Sequence, residues 1–303
     1  MKIFNLICRK KIFCILTCSL FAFLAENAVC EQPKKREYWP TSGWKTSTPE
    51  QQGMDSAKLI IADEFIQNRL PDAFSLLVVK NGYLVFEKYY SWGSPEKYAV
   101  VHSVTKSVTS ALIGIALDRG YLNSVDQKLI EFCPEYITIK SDSRKNEISL
   151  KHLLTMSAGF RWNDRGPSMR NWYSSSDWIK TAIQLPQENY PGEVFNYNSS
   201  TSHLLSGILS KSIKTNTYDF AKKNLFEPLG IQSAYWHQDP QGNYIGGFGL
   251  GLSARDLAKI GFLYLNNGYW NGQSIVPEQW VKESTVQQIQ AVSHPIYGTF
   301  WYG

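Results

Sequence analysis

Cysteine is scarce in this 303-residue chain, and it is unevenly placed. Four of the five (Cys8, Cys14, Cys18 and Cys30) fall in the first 30 residues, which leaves Cys133 alone beyond them. No intrachain disulfide can form past residue 30, and no Cys-x-x-Cys pair is present to hold a metal. Cys133, between Phe132 and Pro134, reads as a small buried apolar residue rather than a nucleophile. Also missing are a His-Glu-x-x-His pair, a glycine-rich phosphate loop and a dinucleotide fingerprint, so no metal, nucleotide or other cofactor is expected. No apolar run approaches the roughly 18 to 20 residues of a comfortable membrane span. Internal repeats and low-complexity tracts are absent as well. Charged residues make up only 19% of the chain, with a net charge of +5. Lys2, Arg9, Lys10 and Lys11 against Glu26 place +3 of that in the first 30 residues and leave +2 for the rest. Nucleic acid is therefore not an expected partner.

What remains is an ordinary globular balance, 43% hydrophobic with Gly 21 and Pro 13. That excludes collagen-like, coiled-coil and disordered chains. Residues 1–30 pair a basic start with the apolar run Ile12 to Leu24 and then small residues, as a secretory signal does. Cleavage after Cys30 would put Ala28 at −3. A lipid anchor on Cys30 is the lesser alternative, because Asn27-Ala28-Val29 matches the usual lipoprotein run poorly. The expectation is an exported protein, periplasmic or secreted and monomeric, with residues 31–303 as its folded domain.

Within that domain, Asp55 is placed to cap a helix through Asn68, with Leu59, Ala62, Phe65 and Ile66 on one stripe and Pro71 closing it. Phe74 to Val79 and Tyr83 to Tyr90 flank Asn81-Gly82, a strong hairpin signal because both turn positions need positive φ. Ser103 to Arg119 is nearly all small or apolar and stops at Gly120, so it predicts a buried helix. Further helices are predicted near 149–157, 175–184, 199–213, 217–227 and 253–266. Gly159, Gly230 and Gly268 end three of them. The stretch from about 121 to 250 reads as a helical lobe. His294 to Gly303 has the pattern of a strand, and the hairpin at 74–90 finds no further sheet partner in the sequence.

Ser-x-x-Lys occurs three times, at Ser42, Ser94 and Ser103. Only Ser103 opens a long buried helix, where i and i+3 share a face and the Lys106 amine can lie against the Ser103 hydroxyl. The helix N-terminus adds a positive field and free N–H groups, that of Ser103 among them, for a developing oxyanion. Burial there disfavours the ammonium form, and an amine so tuned can help take the serine proton. Lys106 is the only charged side chain from Val100 to Leu117, and a buried lysine needs a partner or a task. The bland alternative is a serine N-cap followed by a surface lysine. A second cluster, Pro191 to Ser199, offers Tyr197 as base and then acid. Taken alone, Tyr197 is one packed aromatic among 17 tyrosines. His102 diverges from Ser103 along the chain and makes a poor base. Ser199 and His203 stand at i, i+4 and could pair. Asp164 and Arg165, among Trp162, Trp172 and Trp178, could border a cleft, with core packing as the alternative for the aromatics.

Tyr98 to Ala116 resembles the nucleophile helix of the serine beta-lactamase and penicillin-binding-protein superfamily. It is nearest the branch of class C beta-lactamases, D-Ala-D-Ala peptidases, esterases and 6-aminohexanoate-oligomer hydrolases. Ile148 to Phe160 resembles the helix-and-turn segment that follows in that branch. Pro191 to Tyr197 is similar to its tyrosine motif, and Gly249 to Gly261 to a later structural helix. The resemblance implies an α/β fold of the α+β type, an antiparallel sheet flanked by helices beside a helical lobe. It implies a metal-free serine hydrolase working through an acyl-enzyme on a small or peptide-like amide or ester. Ser103 would be acylated, Lys106 would tune it, and Tyr197 would be general base and acid. Ser199, Trp172 and Asp164 are the expected substrate-binding residues.

Two departures qualify this. Tyr-Asn-Ser stands where class C beta-lactamases carry Tyr-x-Asn, which favours ester or oligoamide over beta-lactam. The Lys-Thr-Gly or His-x-Gly strand motif, source of the second oxyanion N–H, is missing, so the chain reads as C-terminally incomplete. The rival expectation is a member that recognises penicillin-like compounds without turnover.

Overall fold

The computed structural model describes residues 36–290. The expected export segment with Cys30 and the strand expected over 294–303 lie outside the described residues.

Helix α1 (Ser56–Arg69) starts at Asp55, whose carboxylate accepts the Ala57 N–H at 2.9 Å. Leu59 is buried, and Ala62 and Ile66 are half-buried on the same line. Phe65 does not join them and is 58% exposed. At 3.6 residues per turn it falls about 120° from Leu59, outside the packed stripe. Strands β1 (Ser75–Lys80) and β2 (Tyr83–Tyr89) pair antiparallel about Asn81 (φ 54°) and Gly82 (φ 91°), with a register shift between Val78 and Val79.

Strand β3 (Tyr98–Val100) leads into helix α2 (Val104–Asp118). All the elements from there to residue 234 are helical: α3 (Leu129–Phe132), α4 (Leu150–Leu154), α5 (Pro167–Tyr173), α6 (Trp178–Ile183), α7 (Ser199–Ile213) and α8 (Thr217–Ala221). A single π-type turn at Lys222–Phe226 extends α8 over most of the span predicted for it. Strands β4 (Tyr235–Trp236) and β5 (Leu250–Ser253) follow, then α9 (Ala254–Leu265), the short hairpin β6 (Tyr269–Trp270) and β7 (Gln273–Ser274), and α10 (Glu278–Thr285).

The central strand β5 pairs antiparallel with β3 on one side and β4 on the other. This second sheet escapes sequence reading because strands of two to four residues show no period. The fold is mixed helix and antiparallel sheet, as expected. Every residue of α2 from Thr105 to Ala116 is buried, and α2 packs against α7 and α10. A helix apolar on all sides has no solvent face to offer, so it becomes the axis of the core. Its first turn and the N-terminus of α7 are thereby brought together, and the site forms where they meet.

Candidate active site

The chain turns sharply between β3 and α2. Val101 N–H still bonds the Leu250 carbonyl of β5 at 2.8 Å. One residue later His102 adopts a left-handed backbone, φ 43°. That conformation costs a non-glycine residue about 1–3 kcal/mol and is retained only where the surroundings demand it. It sets Ser103 at the mouth of α2 in a helical conformation, φ −68° and ψ −11°, with no capping bond from its side chain. The hydroxyl is thus not spent as an N-cap. His102 itself is exposed and its ring is not part of the cluster described next.

Lys106 is 0% exposed. Its Nζ donates to Ser103 Oγ at 3.2 Å, to Ser199 Oγ at 3.2 Å and to the Gly247 carbonyl at 2.7 Å. An ammonium carries three N–H donors, and here each has an oxygen. The surface-lysine alternative is overturned.

Tyr197 belongs to the loop before α7, and its O–H donates to Ser103 Oγ at 2.8 Å. The Lys106 ammonium lies 4.9 Å from the centre of the same phenol ring. The loop is tied down by Asn196, whose amide donates to the carbonyls of Phe160 and Trp162 at 3.1 and 3.2 Å. Asn198 caps α7 through the N–H groups of Ser200 and Thr201. Ser199 opens α7, and its N–H and Oγ both donate to Asp164, at 3.1 and 2.8 Å. Trp162 Nε1–H donates to the same carboxylate. Ser103, Lys106, Tyr197, Ser199 and Asp164 therefore form one connected hydrogen-bonded set.

Trp172 stands apart from it. It is fully buried, its indole N–H donates to the Trp178 carbonyl at 2.9 Å, and its ring packs on Trp162, Trp178 and Phe248. A side chain with no exposed surface cannot touch a substrate, so the expected binding role of Trp172 is corrected to core packing. His203 does not pair with Ser199 either. One turn along α7 it points into the core and bonds Asp239, Nε2 to Oδ2 at 3.0 Å. Burial would raise the Asp239 carboxyl, but hydrogen bonds from His203 and Asn243 outweigh it and bring it down to about 2.

Sequence reading missed three contributors. Gly247 acts through a main-chain carbonyl, which no side-chain pattern announces. Asn198 was legible as a cap, one position before the helix. Asp239 partners a histidine 36 residues away in sequence. Among the described residues no three His, Cys, Asp or Glu side chains group as a metal site, and no helix is long and apolar enough to cross a membrane.

Comparison with known proteins bears on the family and the fold. A Salmonella typhimurium protein with the provisional name D-alanyl-D-alanine carboxypeptidase is 25% identical over 247 residues, 72% of this chain and 53% of that one. The chain thus spans about half the length of the curated relatives it matches. Among solved structures, a Bacillus anthracis protein provisionally named a 6-aminohexanoate-dimer hydrolase superposes with a TM-score of 0.67 at 20% identity, covering 79% of this chain and 67% of that one. An octameric penicillin-binding-protein homologue from Pyrococcus abyssi gives 0.63 at 22% identity, covering 82% and 64%. At these identities the structures speak for the fold. The family model described as Beta-lactamase matches residues 61–301, a span that carries the Ser103–Lys106 turn, the Tyr197 loop and strands β1 to β7, and on that match the chain belongs to the beta-lactamase family.

Proposed function

We propose that the chain is the hydrolase domain of an exported serine enzyme that forms an acyl-enzyme at Ser103 from an amide or ester. The observation that carries the reading is the position of the Ser103 hydroxyl, 2.8 Å from the Tyr197 oxygen and 3.2 Å from the buried Lys106 Nζ. Once Tyr197 has lost its own O–H proton to solvent, its oxygen takes the Ser103 proton while Oγ bonds the carbonyl carbon, and it hands that proton to the departing amine or alcohol. Water then attacks the ester at Ser103. Tyr197 takes a proton from the water, and the proton returns to Ser103 as the acid leaves. Lys106 holds Ser103 in line and places a positive charge beside the phenol. The Ser103 N–H at the start of α2 supplies one oxyanion donor. Ser199, a hydroxyl in place of an amide, supports an ester or oligoamide substrate over a beta-lactam.

The rival reading is recognition of penicillin-like compounds without turnover. Labelling the purified chain with a fluorophosphonate and with a fluorescent penicillin separates the readings. A fluorophosphonate adduct at Ser103, lost in Ser103→Ala, together with release of p-nitrophenol from p-nitrophenyl acetate, supports the enzyme. A penicillin adduct that persists without ester turnover supports the second reading. A folded chain that takes neither label overturns both.

A further inference from the structure

Ser199 stands where two hydrogen bonds of opposite sense meet. Its Oγ lies 2.8 Å from Asp164 Oδ2 and 3.2 Å from Lys106 Nζ. A hydroxyl has one proton and two lone pairs, an ammonium only donates, and a carboxylate only accepts. The direction is therefore forced. The Ser199 proton points at Asp164, and the Lys106 N–H points at Ser199. Every contact on Asp164 has the sense a carboxylate requires: the Ser199 N–H and the Trp162 indole N–H on Oδ1, and the Ser199 hydroxyl on Oδ2. The carboxylate also faces the N-terminal turn of α7, where the helix field favours negative charge. Asp164 is thus held by two hydrogen bonds from Ser199 at the start of α7 and one from Trp162, and it stands one hydroxyl away from the buried Lys106 amine.

We propose that Asp164 is a positioning residue, which acts through the Ser199 hydroxyl to hold the Lys106 ammonium between Ser103 and the Gly247 carbonyl. The Ser199 proton is spent on Asp164 and the residue is buried, so Asp164 and Ser199, expected from sequence as direct substrate contacts, become an internal brace. The catalytic consequence rests on the proposed role of Ser103, whereas the coupling of Asp164 to Lys106 rests on geometry alone.

Two measurements test it. The first is a stability cycle read by urea denaturation, with Asp164→Asn, Lys106→Met and the double variant, each in the parent chain and in Ser199→Ala. The expected result is non-additive losses in the parent, because each single variant strands one member of the pair. That coupling should shrink at least by half in Ser199→Ala. If Asp164→Asn does not fold, Asp164→Glu takes its place in the same cycle. The second is the rate of fluorophosphonate labelling at Ser103 against pH. Asp164→Asn is expected to slow labelling at least tenfold at pH 7 and to move the acid limb of the profile down by about one pH unit, since a negative charge beside the site is gone. Additive losses, or a labelling profile that superposes on the parent's, overturn the inference. A parent chain that takes no label counts against the proposed function, and the stability cycle still decides the brace.

Discussion

Lys106 Nζ and the Gly247 carbonyl are bonded at 2.7 Å across 141 residues of chain. The neighbouring Gly246 carbonyl accepts from Thr109 Oγ1 at 2.9 Å, so α2 is stitched to this strap one turn apart. The strap can reach α2 only by passing close to α7. A β-carbon at position 246 would stand 2.1 Å from the Ser202 carbonyl, and one at 247 would stand 2.9 Å from that of Ser199. Both positions are glycine for want of room, and the backbone acceptor for the buried ammonium depends on it.

Gly246→Ala is accordingly expected to destabilise the domain by about 1–3 kcal/mol, the usual range for forced overpacking. It should also slow labelling of Ser103 through displacement of the Gly247 carbonyl. Gly261→Ala is the control. Its β-carbon meets nothing within 4 Å inside α9, so helix propensity alone applies and the change should stabilise by up to about 1 kcal/mol. Urea midpoints of the two variants check this, and equal midpoints would refute the steric account.

Tyr197→Phe removes one oxygen and keeps the ring beside Lys106 Nζ. If the phenol carries protons to and from Ser103, acylation should fall about 10²–10⁴-fold, the ordinary worth of a general base. The urea midpoint should change little, because Tyr197 is only half-buried. Stopped-flow rates with p-nitrophenyl acetate read the first quantity. An unchanged rate removes Tyr197 from the mechanism.

The parts of this site that were legible in sequence share one property: each is a side chain placed by local periodicity. Ser103 and Lys106 lie on one face because three residues nearly complete a turn, and the apolar surroundings of Lys106 marked it as buried. The hairpin followed from Asn81-Gly82 and the cap of α1 from Asp55. What stayed hidden depends on atoms or distances without local pattern. The Gly247 carbonyl is main chain, the His203–Asp239 pair is long-range, and strands β3, β4 and β5 are too short to alternate. Trp172 was misplaced for a related reason. Aromatic density marks a cluster, but only packing decides which rings face a cleft and which, like Trp172, are enclosed by other rings.

Cys133 offers a check on the interior that is independent of catalysis. It is buried, and burial pushes its thiol up to about 11. Thiolate is the reactive form, so reaction with a disulfide reagent at pH 8 should wait on opening of the fold. Its rate should therefore lie at least a hundredfold below that of the unfolded chain, where the same thiol reacts freely. Titration with and without denaturant measures the ratio. A fast native reaction would contradict the packing around α3.

The His203–Asp239 pair ties the start of the Gly246–Gly247 strap to α7, and it should make the domain sensitive to acid. Asp239 also accepts the N–H groups of Gln241 and Asn243 at 2.8 Å each, which fixes the turn that opens the strap. Its carboxyl is brought down to about 2 in the fold, against about 3.9 in an unfolded chain. The sign follows from linkage. The folded state holds the proton less tightly, so the contribution is complete above about pH 4 and is lost as pH falls through about 2. Its size is about 2–3 kcal/mol, from the difference between those two values. Asp239→Asn should cost stability at pH 7, and the gap to the parent should close between about pH 4 and pH 2. Urea midpoints taken across that window test this. Curves that stay parallel down to pH 2 would mean that the carboxylate is not favoured by folding and that the strap is held by its glycines alone.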